Sequence, residues 1–260
     1  MLVKENDANY FATDALSNSR LSQILKCPLL YKVNLPITSK SMELGSLFHA
    51  MVLEPETLNE RFQQKLDLRT REGKTQAQRA NEGEVTLVTS SDWETASAMS
   101  ASLTRNTIWE RMVSAGFDAE ISVYSTYRGL DVKGRLDVLC ELDGATYIAD
   151  LKTTKDASPE SIQKSIATFG YHRQAAWYKL LMHLEGIDVK DFIFFFVETH
   201  APYIITPVIL DIVAEETGMD ELEHAVQLYI DCMTSNNWPG YTDSIAYIGL
   251  PGYYYKKTTR

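Results

Sequence analysis

Cysteine is scarce. The 260 residues hold three, Cys27, Cys140 and Cys232, odd in number and far apart. That count argues against a disulfide framework, and the absence of a Cys-x-x-Cys pair leaves no zinc signature. The thiols read as small hydrophobes. Long apolar runs are also missing: the longest, from about Asp191 through Val197, suits a buried strand and not a membrane span. The opening Met1-Leu-Val-Lys-Glu-Asn-Asp7 has no apolar region of the kind that begins a secretory signal, so a cytoplasmic protein with no membrane partner is expected. Basic residues are outnumbered, 25 Lys and Arg against 35 Asp and Glu, for a net charge of −10. Surfaces that bind nucleic acid are usually basic. The balance therefore counts against such a partner, unless acidic groups gather round bound metal ions that offset them, or basic and acidic faces are segregated.

What is present is ordinary for a soluble globular chain, with 45% hydrophobic and 23% charged residues. No internal repeat or linker-like shift in composition divides it. The expectation is a single domain, with a helical N-terminal part to about residue 115, a sheet core over about 116–210 and a C-terminal helix and tail over 211–260. Apolar spacing predicts a helix over Ala15–Tyr31 and another from near Ser41 to before Pro55. The segment Arg69–Glu84 is polar and partly basic, and reads as a solvated mobile loop or a flexible phosphate-contacting segment. Ser91-Asp-Trp-Glu94 has the form of a capping box opening a helix to about Met112.

Beyond Gly116 the period changes to two, predicting strands over Ala119–Tyr127, Leu130–Leu142 and Thr146–Leu151, the last two joined by a tight turn at Asp143-Gly144. Ser158-Pro159 starts a helix, with a clearer one over Tyr171–Leu184. Strands at Phe192–Val197 and Tyr203–Leu210, a long helix over Asp211–Met233 and an irregular aromatic tail with a basic end complete the pattern. The fold class is α/β, a central mixed sheet flanked by helices.

The chemistry concentrates at Gly134-Arg-Leu-Asp137 and Asp150-Leu-Lys152. Strand periodicity puts Asp150 and Lys152 on one face. Half-buried charges need partners, and two readings satisfy that need. One is an Asp–Lys ion pair at a sheet edge. The other is a hard divalent cation held by Asp137, Asp150 and the Leu151 carbonyl, with Lys152 aimed at a water that attacks phosphate.

The pair Asp137…Asp150-Leu151-Lys152 resembles the signature of the PD-(D/E)XK nuclease superfamily, in the GxxD…DxK form of its RecB-type branch. Gly45-Ser-Leu-Phe-His49 is similar to that branch's G-x-x-x-H motif, and Gln174-Ala-Ala-Trp-Tyr178 to its Q-x-x-x-Y motif. Longer stretches around these motifs, with Trp238-Pro-Gly-Tyr and Leu250-Pro-Gly-Tyr in the tail, resemble the RecE (exodeoxyribonuclease VIII) and phage exonuclease group.

The resemblance implies a PD-(D/E)XK core and an exonuclease that degrades one strand of duplex DNA ends from 5′ to 3′. It would leave a 3′ single strand for an annealing partner and assemble as a ring of identical subunits. It implies Mg²⁺, for which Mn²⁺ can substitute, held by His49, Asp137, Asp150 and Leu151, with Glu120 as an accessory acid. Lys152 would serve the attacking water, and Gln174 would fix the site or touch DNA. Arg135, Arg173 and Tyr178 stand next to motif residues as possible DNA contacts, with Tyr178 equally suited to packing. His172 has some prospect of meeting phosphate; His183, His200 and His224 read as structural or exposed.

Cys27-Pro28 followed by Tyr31 is similar to the first cluster-binding region of related iron–sulfur nucleases. The remaining ligands are missing, so no cluster is expected. Two other classes stay open on sequence: a non-catalytic DNA-binding subunit on the same fold, and a domain that binds a small phosphorylated ligand.

Overall fold

The computed structural model describes residues 1–34 and 40–255. Its elements run β1 (Leu2–Lys4), α1 (Asp7–Ala12), α2 (Asn18–Lys26), α3 (Pro28–Val33), α4 (Lys40–Leu53), α5 (Leu58–Arg61), β2 (Phe62–Gln64), α6 (Arg71–Asn81), β3 (Thr86–Val88), α7 (Ser90–Leu103) and α8 (Thr107–Ala115). They continue with β4 (Phe117–Tyr127), β5 (Leu130–Leu142), β6 (Ala145–Thr154), α9 (Pro159–Phe169), α10 (Tyr171–Leu184), β7 (Val189–Glu198), β8 (Ile205–Ile209), α11 (Ile212–Ser235) and α12 (Gly252–Tyr255). Six strands form one mixed sheet in the order β1-β4-β5-β6-β7-β8. All its pairings are antiparallel except β6 with β7, which run parallel with α9 and α10 as their crossover. The α/β class with a mixed sheet between helices is what the sequence pattern predicts.

Two apolar cores lie on the two sides of this sheet, and β6 and β7 feed both by alternation. Ile148, Phe192, Phe194 and Phe196 point to one, with α2, α10 and α11 over them. Ala149, Leu151, Ile193, Phe195 and Val197 point to the other, beneath α4, α7 and α8. A parallel pair covered on both faces needs such a continuous apolar run, which explains Phe192–Val197.

β4 and β5 behave differently. Val123, Val132 and Leu136 join the core under α10, whereas Ala119, Val138 and Cys140 join the opposite one. Each strand therefore changes the core it feeds within a few residues. The change coincides with Glu120, whose φ of +54° is left-handed and sparsely populated for a residue with a side chain.

Several local expectations are corrected. The span 15–31 is two helices, parted where Pro28 opens α3. The helix expected over 91–112 is also two, because Asn106 caps a new start, accepting from the backbone N–H groups of Ile108 and Trp109. The capping box lies two residues earlier, with Thr89 and Asp92 bonding reciprocally. The polar stretch 69–84 is not a loop: it contains α6, capped by Thr70. Here a buried Gln76 replaces an apolar anchor. Its side chain donates to the Gln64 carbonyl at 2.8 Å and accepts from the Leu66 amide at 3.0 Å, stitching α6 to the chain after β2. Part of the aromatic tail forms α12; the basic end, 256–260, lies outside the described residues. All three cysteines are buried free thiols. Among the described residues no helix is long and apolar enough to cross a membrane.

Candidate active site

The β5–β6 ladder ends at Val138↔Ala149. Beyond that pair the two strands part, and the next residues on each, Asp137 and Asp150, occupy the opening. Asp137 Oδ2 accepts the Leu151 amide at 2.9 Å, standing in for a ladder bond. On the other flank the pairings Ala119↔Val138 and Ile121↔Leu136 leave Glu120 opposite Asp137. The splayed ladder and the left-handed turn of Glu120 thus bring the Glu120 and Asp137 carboxylates to one spot, with Asp150 beside them.

α4 closes the spot from one side of the sheet. His49 Nε2 lies 2.8 Å from the Leu151 carbonyl oxygen and Nδ1 lies 3.4 Å from Asp137 Oδ2. A carbonyl only accepts, so Nε2 carries a proton, and in the neutral ring the lone pair sits on Nδ1, facing the carboxylates. His49, Glu120 and Asp137 offer ligand atoms that all lie within 4.8 Å of one another. Gly45, one turn earlier on α4, faces β6: a Cβ there would meet Thr153 Oγ1 at 3.5 Å, an ordinary contact.

α10 closes it from the other side. Gln174 Nε2 donates to Asp150 Oδ1 at 2.5 Å, while Asp150 Oδ2 is set against the Lys152 ammonium. Asp150 is only 1% exposed, and both its oxygens are turned toward these partners, outside the His49–Glu120–Asp137 group. Tyr178, one turn after Gln174, packs on the sheet. A Cβ at Gly134 would come within 2.8 Å of its ring and 2.7 Å of Leu181, so the first residue of Gly134-Arg-Leu-Asp137 is small because α10 rests on it. The Trp177 indole donates to the Lys133 carbonyl at 2.9 Å, fixing the helix from the same side.

The electrostatics record the crowding. Burial, then the facing Asp137 carboxylate, pushes the Glu120 carboxyl up to about 8. Burial and Asp137 also raise Asp150, against the pull of Lys152. Burial acts to lower the Lys152 ammonium, but Asp150 and Asp137 outweigh it and leave it raised. Lys152 is therefore a charged donor, with the Tyr171 ring 4.8 Å beneath it. The donor set fits a hard divalent cation: two opposed carboxylates whose repulsion such an ion relieves, one imidazole nitrogen and a backbone carbonyl alongside.

The other sequence candidates are spoken for within the chain. Arg173 pairs with Glu221, to which His172 Nε2 also lies at 3.1 Å, tying α10 to α11. Arg135 reaches Asp7, the Glu5 carbonyl at 2.6 Å and, at 3.7 Å, Glu120. His183, His200 and His224 are exposed. Asp7, Glu54 and Arg61, which belong to no motif in the sequence, also border the site. Arg61 pairs with both acids, and no spacing in the sequence links them.

Among solved structures, the chain is similar to a "Putative exonuclease" from Eubacterium rectale, at 12% identity over 99% of both chains with a TM-score of 0.67. It is also similar to a phage related exonuclease from Haemophilus somnus 129PT, at 14% identity over 88% of this chain and 100% of that one; the TM-score of 0.39 carries no argument. At such identity the first likeness speaks to the fold alone. No curated protein matches the sequence. A family model described as "PDDEXK-like domain of unknown function (DUF3799)" matches residues 17–251, a span that takes in His49, Glu120, Asp137, Asp150, Lys152 and Gln174. The chain belongs to this PDDEXK-like family.

Proposed function

We propose that the protein is a metal-dependent exodeoxyribonuclease that degrades linear double-stranded DNA from 5′ to 3′ and leaves 3′ single-stranded tails for recombination. The observation that carries this reading is the meeting of His49, Glu120, Asp137 and the Leu151 carbonyl beside the buried Asp150–Lys152 pair. Those four would hold Mg²⁺, or Mn²⁺ in its place, and Asp150 would join them by turning one oxygen from Gln174 or Lys152 toward the ion. Once bound, the cation would supply a Lewis acid to the phosphate and to the attacking water.

The chain's own groups do the rest. Lys152, kept charged by two carboxylates, orients the water and offsets negative charge building on phosphorus. Asp150 aims the ammonium, and Gln174 fixes Asp150. His49 positions the Leu151 carbonyl from the opposite helix. The motif order shared with the RecE-type group supports duplex ends as substrate, a ring of identical subunits, a single-strand annealing protein as partner and a bacterial or phage-infected cytoplasm as setting. The chain would work as one nuclease domain.

Linear duplex labelled at either the 5′ or the 3′ end, digested with Mg²⁺, with Mn²⁺ and in EDTA, tests the reading. Early loss of the 5′ label with the 3′ strand surviving is expected, in metal only, with closed circles uncut. The opposite order overturns the polarity. Binding without hydrolysis in either metal overturns catalysis and leaves a DNA-binding subunit.

A further inference from the structure

The Asp7 carboxylate bridges two arginines from distant parts of the chain. Oδ1 accepts from Arg135 at 2.5 Å and Oδ2 from Arg61 at 3.1 Å. Two guanidiniums converging on the two oxygens of one small anion is the geometry by which proteins hold phosphate. The arrangement is unequal in a telling way. Arg135 is only 12% exposed, lies near the Tyr10 ring at 5.0 Å and keeps a buried Nε with no hydrogen-bond partner. Asp7 is 51% exposed and sits in the first turn of a six-residue helix.

Arg135 is therefore built in and the carboxylate is laid over it, while Arg61, 34% exposed, is held to the site by Glu54 as well. The place also opens outward. Asp7 and Arg61 line a cavity of about 450 Å³, with Met42, Glu43, Phe62 and Val85 among its walls. Arg135 does not line the cavity; it meets Asp7 from the sheet side, and its Nε stands 3.7 Å from Glu120, a member of the His49–Glu120–Asp137 group. The segment that carries Asp7 lies ahead of the family match, which begins at residue 17.

We propose that Arg61 and Arg135 form a phosphate subsite for the nucleic-acid substrate, and that Asp7 occupies it in the free protein as an internal stand-in that the substrate displaces. The inference rests on the nuclease reading and deepens it. Displacement trades one carboxylate for one phosphate on the same two cations, so little charge is left unpaired. It also gives an acidic protein a way to reject loosely bound anions, because an incoming phosphate must compete with a tethered one.

The test is binding of a labelled 20-base-pair duplex in EDTA, where no hydrolysis occurs, at fixed salt. Asp7→Asn should tighten binding about tenfold, and Arg61→Gln should weaken it. In the double variant the gain from Asp7→Asn should vanish, since its target is gone. Asp188→Asn, the same charge change at a fully exposed site elsewhere, controls for net charge. Thermal melts confirm that each variant is folded.

Equal tightening by Asp188→Asn, no tightening by Asp7→Asn, or a gain that survives Arg61→Gln overturns the subsite. Hydrolysis by the wild type in Mg²⁺ or Mn²⁺ is scored separately. If it persists while the subsite fails, the nuclease reading stands alone. If the wild type neither binds nor cuts DNA, both fall.

Discussion

The two sides of the site are made differently. Asp150 and Lys152 sit in a parallel strand pair walled by Phe194 and Phe196, and their partners come from α10, a helix fitted to the sheet through Gly134. Asp7, Arg61 and Glu54 sit in a half-exposed outer layer held to the sheet by ion pairs. Buried charges in fixed geometry are preorganised and intolerant of change, since removing one partner strands the other in a dry place. Exposed pairs contribute little to stability and can be exchanged. On the proposed function, the chemistry would thus lie in the rigid half and the points of exchange in the soft half.

The sharpest way to break that contrast is at Asp150. Asp150→Asn retains the shape and the room for Gln174 but leaves the buried Lys152 ammonium without its nearest anion, with only Asp137 left to offset it. Hydrolysis should fall by at least about 10³-fold, on the scale expected for losing a preorganised electrostatic group. The melting temperature should fall as well. Retained metal-dependent hydrolysis in the purified variant would sink the catalytic assignment.

Next in size is Gly134→Ala. One methyl group must enter a space where the Tyr178 ring and Leu181 leave 2.8 and 2.7 Å. Overpacking of this kind costs about 1–3 kcal/mol, read as a fall in denaturation midpoint with an unchanged slope. α10 carries Gln174, so activity should fall with stability. Pairing the variant with Tyr178→Phe, which leaves the ring in place, should give no rescue; Tyr178→Ala should give some. The opposite pattern would mean that α10 is not seated on Gly134.

These two positions also show what could be read from the sequence. Asp137, Asp150, Lys152, His49 and Gln174 were legible because each belongs to a rigid element, where spacing translates into position: period two along β6, one turn along α4 and α10. The sheet was legible for the same reason, since Phe192–Val197 has to be covered on both faces.

Illegible were features that depend on a single unusual backbone or on contacts between distant segments. Nothing in Ala119-Glu-Ile announces that Glu120 adopts φ of +54° and swings β4 from one core to the other. Nothing near Asp7 points to Arg61 or Arg135, 54 and 128 residues away. In α6 polar composition suggested a mobile loop, because the anchor is a buried amide and not an apolar stripe.

Glu120 gives a third prediction, set by pH. Its carboxyl is raised to about 8 in the fold against 4.5 ordinarily, so the native state binds more protons than the unfolded chain between those values. Its contribution to stability is complete below about 4.5 and is lost as pH rises through about 8. Asp150, also raised, acts with the same sign. In EDTA the melting temperature should therefore fall from pH 6 to 8.5, and Glu120→Gln should flatten that fall. A divalent cation takes over the proton's role, so Mg²⁺ or Mn²⁺ should raise the wild-type melting temperature more at pH 8.5 than at pH 6. An equal slope in Glu120→Gln would remove Glu120 from the account.

The smallest effect is expected at Gln76, and its size is the point. Gln76→Ala strips the Gln64 carbonyl and the Leu66 amide of their partners. Stranded buried groups cost about 1–3 kcal/mol each, but these two belong to β2 and the turn after it, a two-stranded unit that pairs only with β3. Open to solvent once α6 loosens, both groups can find water, so the cost falls on that unit and not on the six-stranded sheet. Global melting should move by no more than a degree or two, while amide exchange over residues 62–88 should rise at least tenfold, the signature of local opening. Phe62 and Val85, which wall the cavity beside Arg61, lie in that span. Looser duplex binding with intact hydrolysis of saturating substrate would then show that the soft half can be weakened without touching the rigid one. A large fall in global stability would mean that the two halves fold as one unit and that the contrast between them is one of composition only.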